Sequence, residues 1–425
     1  MEAIPKSGIP TRARYWVVVF AVTLAIVQYI DRVAISQAAP SISKELSLSK
    51  EQMSWIFSAF TLAYALFEIP TGYWGDRIGA KRVLIRVVLW WSAFTAFTGM
   101  AWSYVSLWVI RFLFGAGEAG CFPNLAHAFK RWLPKEDQPR AKGILWMCAR
   151  WGGAAGPVLF FYLQQYMNWR TTFFVFSGLG VVWAAIFYVW YRDNPRGHPS
   201  VNAAEAALLP ADESASAQSR MPWGKLVRSR TAWCLCGQYA AIAYGWYFFV
   251  TWFPTYLMEE LKFNIKTSAW LAGSPLLLGG CGCFLAGWIT PALNRWLGSA
   301  SKTRRYLGAG GLFVGAVLLL VSTQLSNPYL AVAAIALTSF SNDLAMPGAW
   351  TACMEFGGRY VGTMGGAMNM MGNLGGFLSP IILARVVSPG NWAPAFYITS
   401  AVAVLGAVCW LMVDTSTSLE EQVKD

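Results

Sequence analysis

Charge is what this sequence has least of. Asp, Glu, Lys and Arg make up 13% of its 425 residues, against about 25% in a soluble globular chain, so a fully solvated surface is excluded. Histidine is scarcer still, at two residues, His127 and His198. The eight cysteines are scattered through apolar runs. The pairs Cys234/Cys236 and Cys281/Cys283 lack a second ligand pair at metal spacing, so no metal site is expected. No stretch alternates with period two, which excludes barrel strands. Glycine patterns lack the strand a nucleotide site requires, no phosphate-binding loop for ATP is present, and no nucleophile has an adjacent base. An enzyme and a bound cofactor are therefore not expected. The net charge of +12 falls in short loops without the interleaved aromatics of a single-strand groove, so nucleic acid is not an expected partner.

Apolar sequence is abundant, at 56% of residues, and it comes in repeated runs of about 20 residues, long enough to cross a bilayer as helices. Lipid leaves no partners for open backbone, so the expected class is an all-α integral membrane protein. The first run begins near Tyr15 and continues into a charged site, so it is expected to be retained and not cleaved as a leader. Runs start near Tyr15, Glu51, Val83, Tyr104, Ala141 and Thr171, and again near Thr231, Thr267, Arg305, Asn327, Tyr360 and Asn391. This predicts twelve transmembrane helices in two six-helix bundles, residues 1–191 and 229–425. The segment 192–228 between them contains Asn194-Pro195-Arg196-Gly197-His198-Pro199 and an Ala/Ser/Glu-rich run to Arg220. Its composition is that of a solvated linker, with room for a short surface helix. Most Lys and Arg outside the helices gather on the side that holds the termini and this linker. The positive-inside rule then predicts both termini in the cytoplasm of a protein in the cell (inner) membrane. A monomer is expected.

An internal repeat supports the two halves. Helix five opens Arg140-Ala141-Lys142-Gly143 and later reads Gly152-Gly153-Ala154-Ala155-Gly156-Pro157. Helix eleven opens Arg359-Tyr360-Val361-Gly362 and later reads Gly375-Gly376-Phe377-Leu378-Ser379-Pro380. Parallel six-helix repeats build one large transporter architecture, with the substrate site near midplane.

The charges left inside apolar runs are the functional candidates. The stretch Tyr104–Lys130 reads as one spanning helix carrying Arg111 and Glu118, two turns apart on one face and about 10 Å from each other. A charge at bilayer depth costs at least a few kcal/mol. Such a pair either ties the bundle together or lines a path for something charged. In helix one, Arg32 offers a planar fork suited to a carboxylate. Its neighbour Asp31 lies about 100° round the helix and faces elsewhere. A carboxylate in a partly dry site, balanced between desolvation and nearby Arg, can load and unload a proton as water access changes. Asp31 and Glu118 are the candidates for that, with a structural counter-ion role for Asp31 as the alternative. Arg150 in helix five reads as a second anion contact or a gate, Glu68 as a gating group, and Asp343 in helix ten as a coupling site or a helix-end residue. Recognition of hydroxyls falls to Tyr29, Tyr64, Asn369 and Asn373, the last two one turn apart on one face. Interhelical hydrogen bonding is the competing role for the asparagines. Tyr244, Tyr247 and Trp350 are aromatic candidates from the second half. Gly279-Gly280 reads as a close helix contact.

Between helices two and three stands Gly72-Tyr73-Trp74-Gly75-Asp76-Arg77-Ile78-Gly79-Ala80-Lys81-Arg82. It resembles the loop signature of the major facilitator superfamily, Gly-x-x-x-Asp-Arg-x-Gly-x-Lys/Arg-Lys/Arg. With the helix count and repeat, the resemblance spans essentially the whole chain. Tyr29-Ile30-Asp31-Arg32, Arg111-Phe112 through Glu118-Ala119 to Phe122-Pro123, Thr251-Trp252-Phe253-Pro254-Thr255-Tyr256-Leu257 and Asn369-Met370-Met371-Gly372-Asn373 further resemble the anion:cation symporter branch. That branch holds bacterial hexuronate, galactonate and glucarate carriers and animal sialic-acid and vesicular glutamate carriers. The resemblance implies a proton-coupled importer of a small organic anion, a sugar acid such as a hexuronate or aldonate. It implies Asp31 and Glu118 as proton carriers, Arg32 as carboxylate anchor, Arg111 as a switch partner, and Asp76 and Arg77 as braces between bundles in the outward-open state. Uniport or efflux of another small solute, with structural acids, is the alternative.

Overall fold

The computed structural model describes residues 9–134, 137–210, 223–357, 361–388 and 390–415. The first half is built from α1 (Arg14–Glu45), α2 (Lys50–Ile78), α3 (Ala80–Gly99), α4 (Tyr104–Glu118), α5 (Cys121–Trp132), α6 (Gln138–Gln164) and α7 (Trp169–Trp190). Two short helices follow, α8 (Ala203–Leu208) and α9 (Trp223–Arg228). The second half holds α10 (Arg230–Thr251), α11 (Phe253–Glu259), α12 (Ile265–Ala272), α13 (Ser274–Leu297) and α14 (Ala300–Ser322). It ends with α15 (Pro328–Asp343), α16 (Met346–Gly357), α17 (Val361–Val386) and α18 (Ala393–Met412). Among the described residues, eight helical segments are long and apolar enough to cross a membrane. The twelve expected segments are all there, four of them as broken pairs: α4/α5, α10/α11, α12/α13 and α15/α16.

One of those breaks corrects the sequence reading. Tyr104–Lys130 is not one helix, because α4 stops at Glu118 and α5 starts at Cys121. Ala119 is extended (ψ 139°) and Gly120 is left-handed (φ +86°). A side chain at Gly120 would be strained by that φ and would strike Thr71 on α2; glycine alone takes such a turn at low cost. The other breaks coincide with prolines at helix starts, Pro254 and Pro275, or fall just after Asp343.

The internal repeat is visible as packing. In the first half α6 lies on α1, with Gly152 against the backbone of Ile26. In the second, α17 lies on α10 with Gly375 against the backbone of Ala240. Any side chain at either glycine would push the paired backbones apart. The halves meet where α2 packs on α17 and where α6 packs on α12 and α13. On the side away from the linker this seam is closed. Lys50 pairs with Glu259 and Arg385 with Glu51 (3.4 Å), and Phe57 stacks edge-on against Trp252 at 5.4 Å. On the linker side no ion pair joins the halves among the described residues.

Within the expected linker, residues 192–210 include the short helix α8 and anchor on the first half through a few buried side chains. Glu205 on α8 is fully buried and accepts hydrogen bonds from the N–H groups of Ala13 (3.2 Å) and Arg14 (3.0 Å), besides pairing with the Arg14 guanidinium. A carboxylate there satisfies orphan donors at the start of α1 and meets the positive end of its dipole. Asp193 accepts from the Lys81 N–H at 3.0 Å, and the Arg192 carbonyl accepts from the Trp132 indole at 2.9 Å. His198 sits between Trp132 and Trp190. The segment thus ties the starts of α1 and α3 to the ends of α5 and α7.

Candidate functional site

The buried charges converge where α1, α2, α4 and α10 meet. Arg32 leaves α1 into a cage of three aromatic rings, with its guanidinium carbon 5.2 Å from the Tyr29 ring, 5.2 Å from Phe60 and 5.0 Å from Tyr64. Desolvated cation–π contacts of this kind are worth up to about 2 kcal/mol and fix where the fork points. The Arg32 Nε donates to the Glu118 carboxylate, and Gln28 Nε2 donates to the same oxygen at 2.7 Å. Glu118 is fully buried at the end of α4. The pair anticipated along one face of a single helix is therefore not the one that forms: Glu118 turns to Arg32 on α1, and Arg111 is left to the cavity.

Arg111 is 2% exposed, its guanidinium lies 4.3 Å from the Phe114 ring and 5.5 Å from Phe60, and its Nε has no hydrogen-bond partner. It makes no ion pair among the described residues, although Asp31 and Glu118 are within electrostatic reach. Arg32 and Arg111 both line a small cavity whose other walls include Phe57, Phe60, Trp246, Tyr247 and Val250. Asp31, also 2% exposed, faces the Trp91 indole and the Thr95 hydroxyl of α3 as its nearest donors, neither in full hydrogen-bond geometry with its oxygens. Two guanidiniums thus front the cavity, with two carboxylates behind them.

A second buried ion pair crosses the seam. Arg150 Nη2 on α6 meets Asp343 Oδ1 on α15 at 2.8 Å, both side chains 4% exposed, and the guanidinium lies 5.1 Å from the Trp246 ring. A side chain at Gly279 would occupy the place of the Asp343 carboxylate, so the glycine pair of α13 makes room for this bridge as well as for helix contact. Asp343 is thereby inside the protein and not at a helix end facing solvent. Helices four and ten are six apart in the order, and each is broken directly after its buried acid, Glu118 and Asp343. Each acid pairs with an arginine of the first half.

The remaining candidates divide. Tyr247 lines the cavity, and Tyr29 stands against Trp246 with ring centroids 5.9 Å apart. Tyr64 reaches the same place through Arg32. Asn369 donates to the Glu68 carboxylate across the α2–α17 seam, and Asn373 Nδ2 donates to the Asn369 carbonyl at 3.1 Å. Neither asparagine lines the cavity in this conformation, and both amides are engaged. Trp350 packs edge-on against Tyr239 at 5.9 Å in a separate apolar cluster, and Tyr244 is buried without lining the cavity. The side chains of Asp76 and Arg77 lie outside the described residues. Trp246 and Gln28 were not singled out from sequence. Nothing in a run such as Ala-Tyr-Gly-Trp-Tyr distinguishes the tryptophan that meets Arg150 from those facing lipid. A lone glutamine among apolar residues at Gln28 was the available signal.

The Major Facilitator Superfamily model matches residues 21–380. A probable sulfoacetate transporter of Cupriavidus necator is 31% identical over 394 residues, covering 91% of each chain. A D-galactonate transporter of Escherichia coli is 28% identical, covering 97% of this chain and 98% of its own. A hexuronate transporter of Bacillus subtilis is 27% identical, covering 92% of each. Among solved structures, a bacterial homologue of the human lysosomal transporter Spinster, inward-facing and unoccupied, superposes with a TM-score of 0.70 at 18% identity over 95% of both chains.

Proposed function

We propose, from the premise that this chain belongs to the major facilitator superfamily, that it carries an organic anion, a sugar acid by first choice, into the cell together with protons. The observation that supports this most is Arg32 at the cavity wall with its Nε–H donated to Glu118. A substrate carboxylate and the Glu118 carboxylate need the same donors. Protonating Glu118 frees the fork for the substrate, and binding the substrate keeps Glu118 from recapturing it; each event favours the other, which is what coupling requires. Asp31, buried beside Arg32 without a hydrogen bond in full geometry, is the second proton carrier. Arg111 is the switch partner that feels both acids.

The relatives named above are transporters of sulfoacetate, D-galactonate and hexuronates by their descriptions, and each of those compounds carries a carboxylate that an arginine fork recognises. In the proposed cycle two six-helix bundles rock about the cavity, with the termini and 192–228 in the cytoplasm by the positive-inside rule. The seam closed by Lys50–Glu259 and Arg385–Glu51 is then the outer gate. Asp76 and Arg77 brace the inner side when that gate opens. Arg150–Asp343 and Glu68–Asn369 hold the seam between, and Tyr29, Tyr64 and Tyr247 position the substrate. Asn369 and Asn373 reach it only after their present bonds are released.

The test is Glu118→Gln in proteoliposomes with a labelled sugar acid. Counterflow exchange is expected to stay within about tenfold of wild type, while accumulation driven by a proton gradient falls well below the wild-type ratio. Accumulation retained at the wild-type ratio removes Glu118 from proton coupling.

A further inference from the structure

We infer that the substrate is a compact organic dianion taken up with two protons, so that the buried site stays electrically neutral both empty and loaded; this rests on the proton-coupled reading above. One cavity is faced by two guanidiniums, Arg32 and Arg111. Both guanidinium carbons lie within 5.5 Å of the one Phe60 ring, so they are no more than about 11 Å apart, each held by cation–π contact. That span suits a short body with an acid group at each end. Arg111 is buried, has an unpartnered Nε and makes no ion pair among the described residues. Once Asp31 and Glu118, the acids within its electrostatic reach, take up protons, Arg111 is a buried cation without a counter-charge, which is costly and argues that a ligand then supplies the missing charge.

The balance of charge points the same way. With Asp31 and Glu118 ionised, two acids offset two arginines and the empty cluster is neutral. Two protons loaded onto those acids leave two uncompensated positive charges. A monoanion cancels one of them and a dianion cancels both, so only the dianion allows the bundles to close without an unpaired charge in a dry site. Arg150 and Asp343 neutralise each other; Glu68, buried with only the neutral Asn369 amide bonded to it, stays protonated and uncharged throughout in this scheme, since a buried carboxylate without a cation partner neutralises. The walls agree with recognition at the two ends of a ligand. Phe57, Phe60 and Val250 are apolar and the Thr251 hydroxyl is already spent on the Tyr247 carbonyl at 2.6 Å, which leaves the unpartnered Trp246 indole N–H and the Tyr247 side chain as the polar groups between the two guanidiniums.

The experiment compares matched acids on the purified full-length protein in nanodiscs: glucarate against gluconate, and succinate against succinamate, read by calorimetry. The dianion of at least one pair is expected to bind at least about tenfold tighter than its monoanion, a difference that Arg111→Gln reduces below about twofold and Arg111→Lys keeps in part. In proteoliposomes, uptake of that dianion is expected to follow an imposed pH gradient and ignore an imposed membrane potential. Monoanions that bind as tightly as their dianions, a preference untouched by Arg111→Gln, or uptake accelerated by the potential would each overturn the inference. If Arg111→Gln does not fold, the wild-type comparison and the potential measurement decide it. Proton-driven uptake of a monoanion defeats the dianion and leaves the symport reading standing. Uptake indifferent to the pH gradient, or no binding of any acid, defeats both.

Discussion

Arg150→Ala and Asp343→Asn, made singly, are each expected to cost about 3–5 kcal/mol of stability, because each leaves the partner's charge buried without compensation. The two side chains meet at 2.8 Å across the seam between α6 and α15, both 4% exposed. Water cannot replace the lost partner there. The double variant Arg150→Met/Asp343→Leu is expected to recover most of the loss, since a buried ion pair replaced by packed apolar groups is often neutral or stabilising. Transport is expected to remain impaired in that recovered protein, because the bridge is also the link by which α15 follows α6. Thermal unfolding of the purified variants, followed by uptake in proteoliposomes, checks both statements. Single variants within about 1 kcal/mol of wild type would show that solvent reaches the pair. A fully active double variant would show that the bridge is structural alone.

Arg32→Lys is the second large effect. The substitution keeps the charge but removes the planar fork that spans two acceptor oxygens. It also empties the cage of Tyr29, Phe60 and Tyr64, whose rings are spaced for a flat cation 5.0 to 5.2 Å from each. Loss of one hydrogen bond to a carboxylate and most of the cage contact amounts to about 3 kcal/mol, or roughly a hundredfold in affinity. The dissociation constant of the tightest-binding acid measures it directly, with melting temperature as the control for folding. Affinity within about threefold of wild type would take Arg32 out of the binding site.

The twelve segments were legible because each leaves a long apolar run, and lipid permits that pattern a single meaning. The repeat was legible because close helix approach demands glycine at matching places, and Gly152 and Gly375 occupy them. The site was legible as a list of intramembrane charges, but its pairings were not. Glu118 is seven residues from Arg111 and 86 from Arg32, yet it bonds to Arg32. The break after Glu118 swings the chain, and that break needs the left-handed Gly120 pressed on Thr71, a contact no local pattern records. The kinship of Asp343 with Glu118 was hidden for the same reason: the broken helices correspond in place and not in sequence. Glu205 stands in an Ala-rich stretch that reads as solvated, and only the start of α1, 191 residues earlier, explains its burial. Asn369 and Asn373 were read as meeting hydroxyls or as bonding between helices; the Asn369 amide is held by Glu68 on α2, and that of Asn373 by backbone of its own helix.

The central claim is that a proton gradient drives an organic anion through the cavity fronted by Arg32. Its most direct measurement is the accumulation of a labelled sugar acid in proteoliposomes of the wild-type protein, with and without a gradient acid on the side of uptake. About tenfold or greater accumulation is expected for one unit of gradient, collapsing on addition of a protonophore. The same final level with the gradient present, absent or reversed would contradict proton-coupled import.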